Sequence, residues 1–178
     1  MNRKQIERFI KKIYPKYPVK LVYFTDKSIE SYWGKTLGNT EKPEIHLNLY
    51  DMRRKIYRDN DNLLIKALLL HEIAHVMLYD KHIKDFPDLN NEKYVFPQVE
   101  LETHMHAIEV AEKLKMDDIR KELIRVIWYW QDVHVSIDKP YREAYKLSLK
   151  NKKMVALYRK HGFAFLEADK QIIESNID

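Results

Sequence analysis

The sequence predicts an α+β fold, because strand patterns are confined to its first third and helical patterns fill the rest. Residues 19–24 are β-branched and aromatic, and in 44–50 apolar and polar residues alternate, which is typical of a half-buried strand. Residues 63–78 carry apolar side chains at helical spacing, and nearly every later segment has the same period. We therefore expect a small sheet, one long helix and a largely helical C-terminal half.

Local start and stop signals predict the other elements of the first half. Residues 4–13 form an amphipathic helical pattern that two prolines end. Residues 31–40 contain two of the three glycines and are expected to be a loop or a short second strand with turns. Asp61 is a good N-cap for the helix over 63–78, and the polar segment 80–97 is expected to be a loop.

Four more helical segments are predicted after this loop: 98–114, 117–136, 141–150 and 153–173, the last bent or broken at Gly162. A chain of 178 residues is one domain by length. We expect residues 1–116 to form its core and 117–178 a helical extension, which either joins the same compact domain or covers the cleft.

The composition excludes several classes of chemistry. Three glycines cannot supply the Gly-rich loops that bind phosphates or dinucleotides, and the lack of cysteine excludes disulfides, thiolate-bound zinc and a cysteine nucleophile. No apolar run approaches a membrane span and the first residues resemble no secretory signal, so we expect a cytoplasmic protein without a membrane partner. Metal-dependent hydrolysis is left as the main catalytic option.

The helix over 63–78 contains an H-E-x-x-H motif, formed by His71, Glu72 and His75. Positions i and i+4 lie on one side of a helix, so both imidazoles can reach one ion. Neutral imidazole is a favoured zinc ligand, and a catalytic zinc takes three protein ligands and a water. Glu72 would lie beside the ion and act as general base, then acid, for that water. The alternative is a buried helix with two core histidines.

One more protein ligand is needed, and the helix over 98–114 can supply it. This helix has a stripe of small side chains that permits close approach to the motif helix: Thr103, Ala107 and Ala111. Glu100 lies about 60° from the centre of that stripe, whereas Glu102 lies far round the helix. We predict Glu100 as the third ligand of a single zinc ion, with Glu102 and His82 as alternatives. His104 is predicted either to hydrogen-bond a ligand or to lie on the surface.

An H-E-x-x-H helix completed by a glutamate from a later helix resembles the gluzincin branch of the zincin metallopeptidases. More narrowly, it looks like the ImmA/IrrE-type peptidases, whose second helix reads E-x-x-A-N-x-x-A. The same positions here are Glu100, Thr103, His104 and Ala107, so two of the four depart from that pattern. The resemblance to zincins covers residues 19–114.

A competing resemblance is to the SprT-like and YgjP-like peptidases. In these families a third histidine follows the motif closely, in an H-x-x-x-F context, and a W-G pair precedes a strand. His82 with Phe86, and Trp33 with Gly34, fit that outline, although His82 is one residue further from the motif than the outline has it.

The zincin resemblance implies both a fold and an activity. The fold is a small, mostly antiparallel sheet packed on the motif helix, with an edge strand that binds extended substrate above the metal; residues 44–50 look like that strand. The activity is zinc-dependent hydrolysis of peptide bonds in a protein or peptide, through a metal-activated water with Glu72 as general base and acid.

The segment 139–160 holds eight basic residues against one acidic residue, Glu143. The favoured interpretation is a solvated helical face. It could instead anchor nucleic acid, which would make the protein a nucleic-acid-associated protease. It could also lie across the cleft, which would make the protein a latent or regulatory binding module with the zincin fold.

Overall fold

The computed structural model describes residues 1–16, 18–24, 34–37, 39–48, 61–87, 96–132 and 139–176. This part of the chain is α+β and mostly helical. Its elements are α1 (Arg3–Ile13), β1 (Lys20–Phe24), β2 (Gly34–Leu37), β3 (Glu44–Asn48), α2 (Asp61–Asp85), α3 (Pro97–Lys113), α4 (Asp117–Tyr129), a 3-10 turn (Trp130–Asp132), α5 (Lys139–Leu149), α6 (Lys152–Lys160) and α7 (Glu167–Glu174).

The three described strands form a mixed sheet in the order β1-β3-β2. β1 pairs with β3 in parallel, and β2 pairs with β3 in antiparallel orientation. The expectation of a mostly antiparallel sheet is therefore wrong. Hydrophobic alternation indicates which face of a strand is buried, but it carries no information on the neighbour or its direction. Parallel pairing needs a long crossover, and the 19 residues between β1 and β3 supply one that includes β2.

β3 is the central strand of this sheet, so the expectation that 44–50 is an edge strand is also wrong for the described residues 44–48. Its alternation is as predicted from Glu44 to Leu47, because Ile45 and Leu47 are fully buried while Glu44 and His46 are partly exposed; Asn48, expected on the exposed side, is fully buried. The buried face packs against α2. Among the described strands, β2 lies at the edge and also contacts α2.

α2 is the central helix of the molecule, in contact with β2, α1, α3 and α4. Its middle is buried on almost every side, from Leu64 to Val76, which is why apolar residues there exceed a single stripe. By length and composition alone, residues 62–85 would also suffice to cross a membrane. A central core helix passes the same test, and 61% of the most apolar window is buried inside the protein.

The helices differ from the predicted ones at both ends of α2, which already includes the predicted N-cap Asp61, and at the end of α4. α4 ends at Tyr129 before a 3-10 turn, although one helix is predicted over 117–136. α2 continues to Asp85 through the start of the predicted loop, because His82 is buried there and Lys81 pairs with Asp85 one turn on. The segment predicted as one helix over 153–173 is two helices, α6 and α7, with Gly162 between them at φ 73°. This left-handed conformation favours glycine, and the predicted break is confirmed.

The last three helices close around a buried polar cluster. The Tyr145 hydroxyl donates to Asp169 at 3.0 Å, and the hydroxyls of Ser148 and Tyr158 are 2.7 Å apart. Asp169 also accepts from the backbone N–H of Leu166 at 3.0 Å, which caps α7. α5 packs against α3 and the 3-10 turn, and α4 packs against both α2 and α3.

Candidate metal centre

α2 brings the two motif histidines together. His71 and His75 are one turn apart, and their Nε2 atoms are separated by 3.2 Å. The rings meet edge to face, with centroids 4.7 Å apart. His71 is 6% exposed, and His75 is partly exposed. The i, i+4 spacing therefore aims both nitrogens at one point, as the sequence predicts.

α3 brings Glu100 to the same point. Its small-residue stripe is fully buried against the neighbouring helices, with no exposed surface at Thr103, Ala107 or Ala111. Because of this close approach, Oε2 of Glu100 lies 3.3 Å from Nε2 of His71, and Oε1 lies 3.6 Å from Nε2 of His75. Glu100 itself is 8% exposed. The side chains of His71, His75 and Glu100 thus converge from two helices.

This group could hold a metal ion, and its spacing fits one. The ligand atoms of His71, His75 and Glu100 all lie within 4.8 Å of one another, and no other group of three or more candidate ligands occurs in the described ranges. Nitrogen and oxygen ligands about 2.0–2.1 Å from a tetrahedral ion lie about 3.3–3.4 Å apart. The observed separations of 3.2, 3.3 and 3.6 Å are close to that value. In addition, Oε2 of Glu100 is buried and makes no hydrogen bond to any described residue.

The electrostatics of the group favour a positive charge at its centre. Burial raises the pKa of Glu100, but the facing imidazoles of His75 and His71 outweigh burial and hold that pKa well below its usual range. Burial lowers the pKa of His75, but the carboxylates of Glu100 and Glu72 outweigh it and raise that pKa. The pKa shifts of Glu100 and His75 have the same physical cause, because the buried Glu100 carboxylate faces two imidazole rings.

The alternative third ligands, Glu102 and His82, are not part of this group. His82 is buried, and its Nε2 lies 3.3 Å from Oε2 of Glu102. The Glu102 side chain is 44% exposed and also forms an ion pair with Lys81. Two residues along a helix correspond to about 200° of rotation, so Glu102 points away from the face that carries Glu100. The H-x-x-x-F outline therefore contributes no side chain to this group, and Trp33 lies outside the described residues.

Glu72 lies beside the group, with its carboxylate held against β2. The Thr36 hydroxyl is 2.8 Å from Oε2 of Glu72 and 2.9 Å from its backbone oxygen, so it donates to this residue. Gly34 lies so close that an added Cβ would be 2.9 Å from Cδ of Glu72 and closer still to Oε1. Nothing in the sequence indicates the contact with Thr36, because it joins residues 36 positions apart.

His104 is buried behind His71, so of the two places predicted for it the structure shows the one beside a ligand candidate and not the surface. Its Nδ1 lies 3.1 Å from Nδ1 of His71, and its Nε2 lies 2.6 Å from the backbone oxygen of Leu123 on α4. Burial and the neighbouring His71 lower the pKa of His104 to about 3. Thr103 supports the other histidine, with Oγ1 3.2 Å from Nδ1 of His75.

An aromatic pair also borders the histidines. The Trp130 ring lies edge-on to His104 at 5.1 Å between centroids and to His71 at 6.4 Å. Tyr141 packs on Trp130 at 5.1 Å. Sequence reasoning missed these residues, because the contact depends on how the chain turns after α4. Both aromatic residues lie beyond α3, in the part of the chain after residue 116.

Comparison of the chain with protein-family models, with curated proteins and with solved structures returned no match.

Proposed function

We propose that this protein is a zinc-dependent metallopeptidase of the gluzincin type, with His71, His75 and Glu100 as the zinc ligands. One observation carries the proposal: two imidazole nitrogens lie 3.2 Å apart, and the two oxygens of the buried Glu100 carboxylate lie 3.3 Å and 3.6 Å from them, with Oε2 making no hydrogen bond to any described residue. Glu72 of the H-E-x-x-H motif stands beside them. The substrate class, a protein or peptide, comes from the zincin resemblance.

The ligand chemistry favours zinc among the common divalent ions. Two imidazoles suit zinc better than magnesium or calcium, which prefer oxygen ligands. A set of two histidines and one glutamate is used by catalytic zinc sites and leaves a fourth position open. When bound, the ion would polarise a carbonyl group and lower the pKa of a water molecule to about 7.

Glu72 is the general base and then the general acid in this proposal. Its carboxylate would take a proton from water and pass it to the leaving amine. The Thr36 hydroxyl fixes Oε2, and the bare backbone at Gly34 lets the carboxylate lie against β2. The protein therefore positions the base from the sheet as well as from its own helix, which supports a catalytic rather than a structural role.

β2 replaces 44–50 as the strand proposed to bind extended substrate. It lies at an edge of the described sheet, and its Gly34 and Thr36 touch the proposed base. An extended peptide gains main-chain hydrogen bonds when it pairs with such an edge. A peptide bound there would pass next to Glu72.

Hydrolysis of casein and of a mixed peptide library by the zinc-loaded protein tests the proposal. We expect the wild type to cleave and Glu72→Gln to keep its zinc but lose turnover, because the base is not a ligand. Glu102→Gln is the matched control, since it changes an exposed glutamate outside the group. Zinc-loaded wild type that cleaves no faster than Glu72→Gln would contradict the proposed activity.

Metal analysis after dialysis tests the ligand set separately. Glu100→Ala should lose the zinc, whereas Glu102→Ala and His82→Ala should retain it. Loss of zinc from either of the latter two with retention in Glu100→Ala would overturn the assignment.

A further inference from the structure

A chain of hydrogen-bonding groups leads from the backbone of α4 to the candidate metal centre. The Leu123 carbonyl lies 2.6 Å from Nε2 of His104, and Nδ1 of His104 lies 3.1 Å from Nδ1 of His71. Both histidines are buried, at 1% and 6% exposure. The remaining nitrogen of His71, Nε2, faces His75 and Glu100.

The donor and acceptor roles in this series of hydrogen bonds follow from the backbone carbonyl at which the series begins. A backbone carbonyl can only accept, so Nε2 of His104 must carry a hydrogen. A neutral imidazole carries one ring hydrogen, so Nδ1 of His104 is an acceptor. His71 must then donate from Nδ1, and a neutral His71 ring therefore keeps its lone pair on Nε2, the nitrogen that faces the group.

The opposite assignment would require a proton to leave Nε2 of His71 before an ion could bind there. If Nδ1 of His71 were the acceptor, its ring hydrogen would sit on Nε2, pointing at His75 and Glu100 where a ligand lone pair is needed. His75 lacks such a constraint, because its Nδ1 faces the Thr103 hydroxyl and a hydroxyl can donate or accept. Only the first motif histidine therefore has its tautomer dictated by the backbone.

We propose that the Leu123 carbonyl, acting through His104, holds His71 as the Nδ1-protonated tautomer and so prepares Nε2 for a metal ion before any ion binds. His104 is a positioning residue. Through Leu123, α4 also takes part in the metal centre, although the proposed ligands are on α2 and α3. This inference rests on the proposed zinc site. It adds that a backbone group on a third helix sets the protonation pattern of a ligand.

Imidazole ¹⁵N NMR spectra of the metal-free wild type read the tautomer directly. The His71 signals are identified among the eight histidines by their loss in His71→Gln. We expect a single His71 tautomer with its hydrogen on Nδ1. A mixture of tautomers, or a hydrogen on Nε2, would overturn the proposed relay of hydrogen bonds from Leu123 through His104 to His71. This measurement needs no bound zinc, so a wild type that takes up no zinc would refute the proposed function while the relay is still decided.

Three substitutions of His104 separate the relay from simple packing. An asparagine oxygen can occupy the place of Nδ1 and accept from His71; a glutamine amide reaches the place of Nε2 but leaves His71 without an acceptor; leucine supplies neither. We expect His104→Asn to bind zinc within about threefold of wild type, and His104→Gln and His104→Leu to bind roughly 10–100-fold more weakly.

The matched control is His106→Leu, on the same helix but outside the group. It should bind zinc like the wild type. Thermal melts of the metal-free variants report whether each one folds. Unchanged zinc affinity in folded His104→Leu, or a glutamine variant that binds more tightly than the asparagine variant, would contradict the relay. If no His104 variant folds, the tautomer in the wild type decides.

Discussion

Replacing Gly34 with alanine should displace the Glu72 carboxylate while leaving the fold and the metal ligands in place. The new Cβ would lie 2.9 Å from Cδ of Glu72, and the carboxyl group must move about 1 Å to reach ordinary contact distance. The obstacle is the end of a side chain, so Glu72 can swing away more easily than β2 can shift. That movement would break the hydrogen bond from Thr36.

The expected cost in stability is small and the expected cost in activity is large. A strained rotamer costs about 0.5–1.5 kcal/mol and a lost hydrogen bond a similar amount. Alanine recovers about 0.5–1 kcal/mol relative to glycine in a strand, so the net loss is roughly 0–2.5 kcal/mol. A catalytic group misplaced by about 1 Å can lower the rate about 100-fold.

The assay compares kcat/KM on a cleaved peptide, zinc content and the thermal melt for wild type and Gly34→Ala. Lys35→Ala is the control, because Lys35 is the next residue of β2 and points to the opposite face of the sheet. We expect full zinc content, a Tm at most about 10 °C below that of the wild type and about 100-fold lower kcat/KM for Gly34→Ala alone. Wild-type turnover in this variant, or loss of its zinc, would refute the reasoning.

Further predictions concern the base, the metal, the C-terminal helices and the basic segment. Thr36→Val should keep zinc but lower kcat/KM about tenfold, with Thr36→Ser restoring it, because the hydroxyl donor holds the base; equal rates for the two variants would contradict this. Zinc at about 1,000 times its Kd should raise Tm by roughly 8–16 °C, and Glu100→Ala should show no such shift in the same melts. Asp169→Ala should cost about 1–3 kcal/mol in urea unfolding, since it removes the acceptor 3.0 Å from a buried tyrosine hydroxyl and the side chain that caps α7; an unchanged midpoint would refute that role. If 139–160 is a solvated face, duplex DNA should bind only weakly in fluorescence anisotropy at about 50 mM salt, and tight binding that weakens steeply by about 200 mM would instead favour a nucleic-acid anchor.

The convergence of His71, His75 and Glu100 could be predicted from the sequence, with Glu102 and His82 as alternatives to Glu100, because it follows mainly from helix geometry. The i, i+4 spacing puts His71 and His75 on one face, and the small-residue stripe identifies the face of α3 that approaches α2. Glu100 lies on that face and Glu102 does not, whatever the rest of the chain does. Two local patterns were therefore enough to bring three side chains together.

The pairing of the sheet and the surroundings of the ligands could not be predicted in this way. Strand alternation predicted the buried face of β3 but not its central place, which depends on how the crossover from β1 runs. The contacts of Thr36 with Glu72 and of Trp130 with His71 join segments that are distant along the chain. Such contacts arise from packing between elements, for which a single sequence holds no periodic signal.

The most direct test of the metal centre is an anomalous difference map at the zinc edge, from a crystal of the zinc-loaded protein. We predict one peak, about 2.0–2.1 Å from Nε2 of His71 and of His75 and about 2.0–2.2 Å from a carboxylate oxygen of Glu100. A peak on other residues, or no peak after loading, would contradict the account.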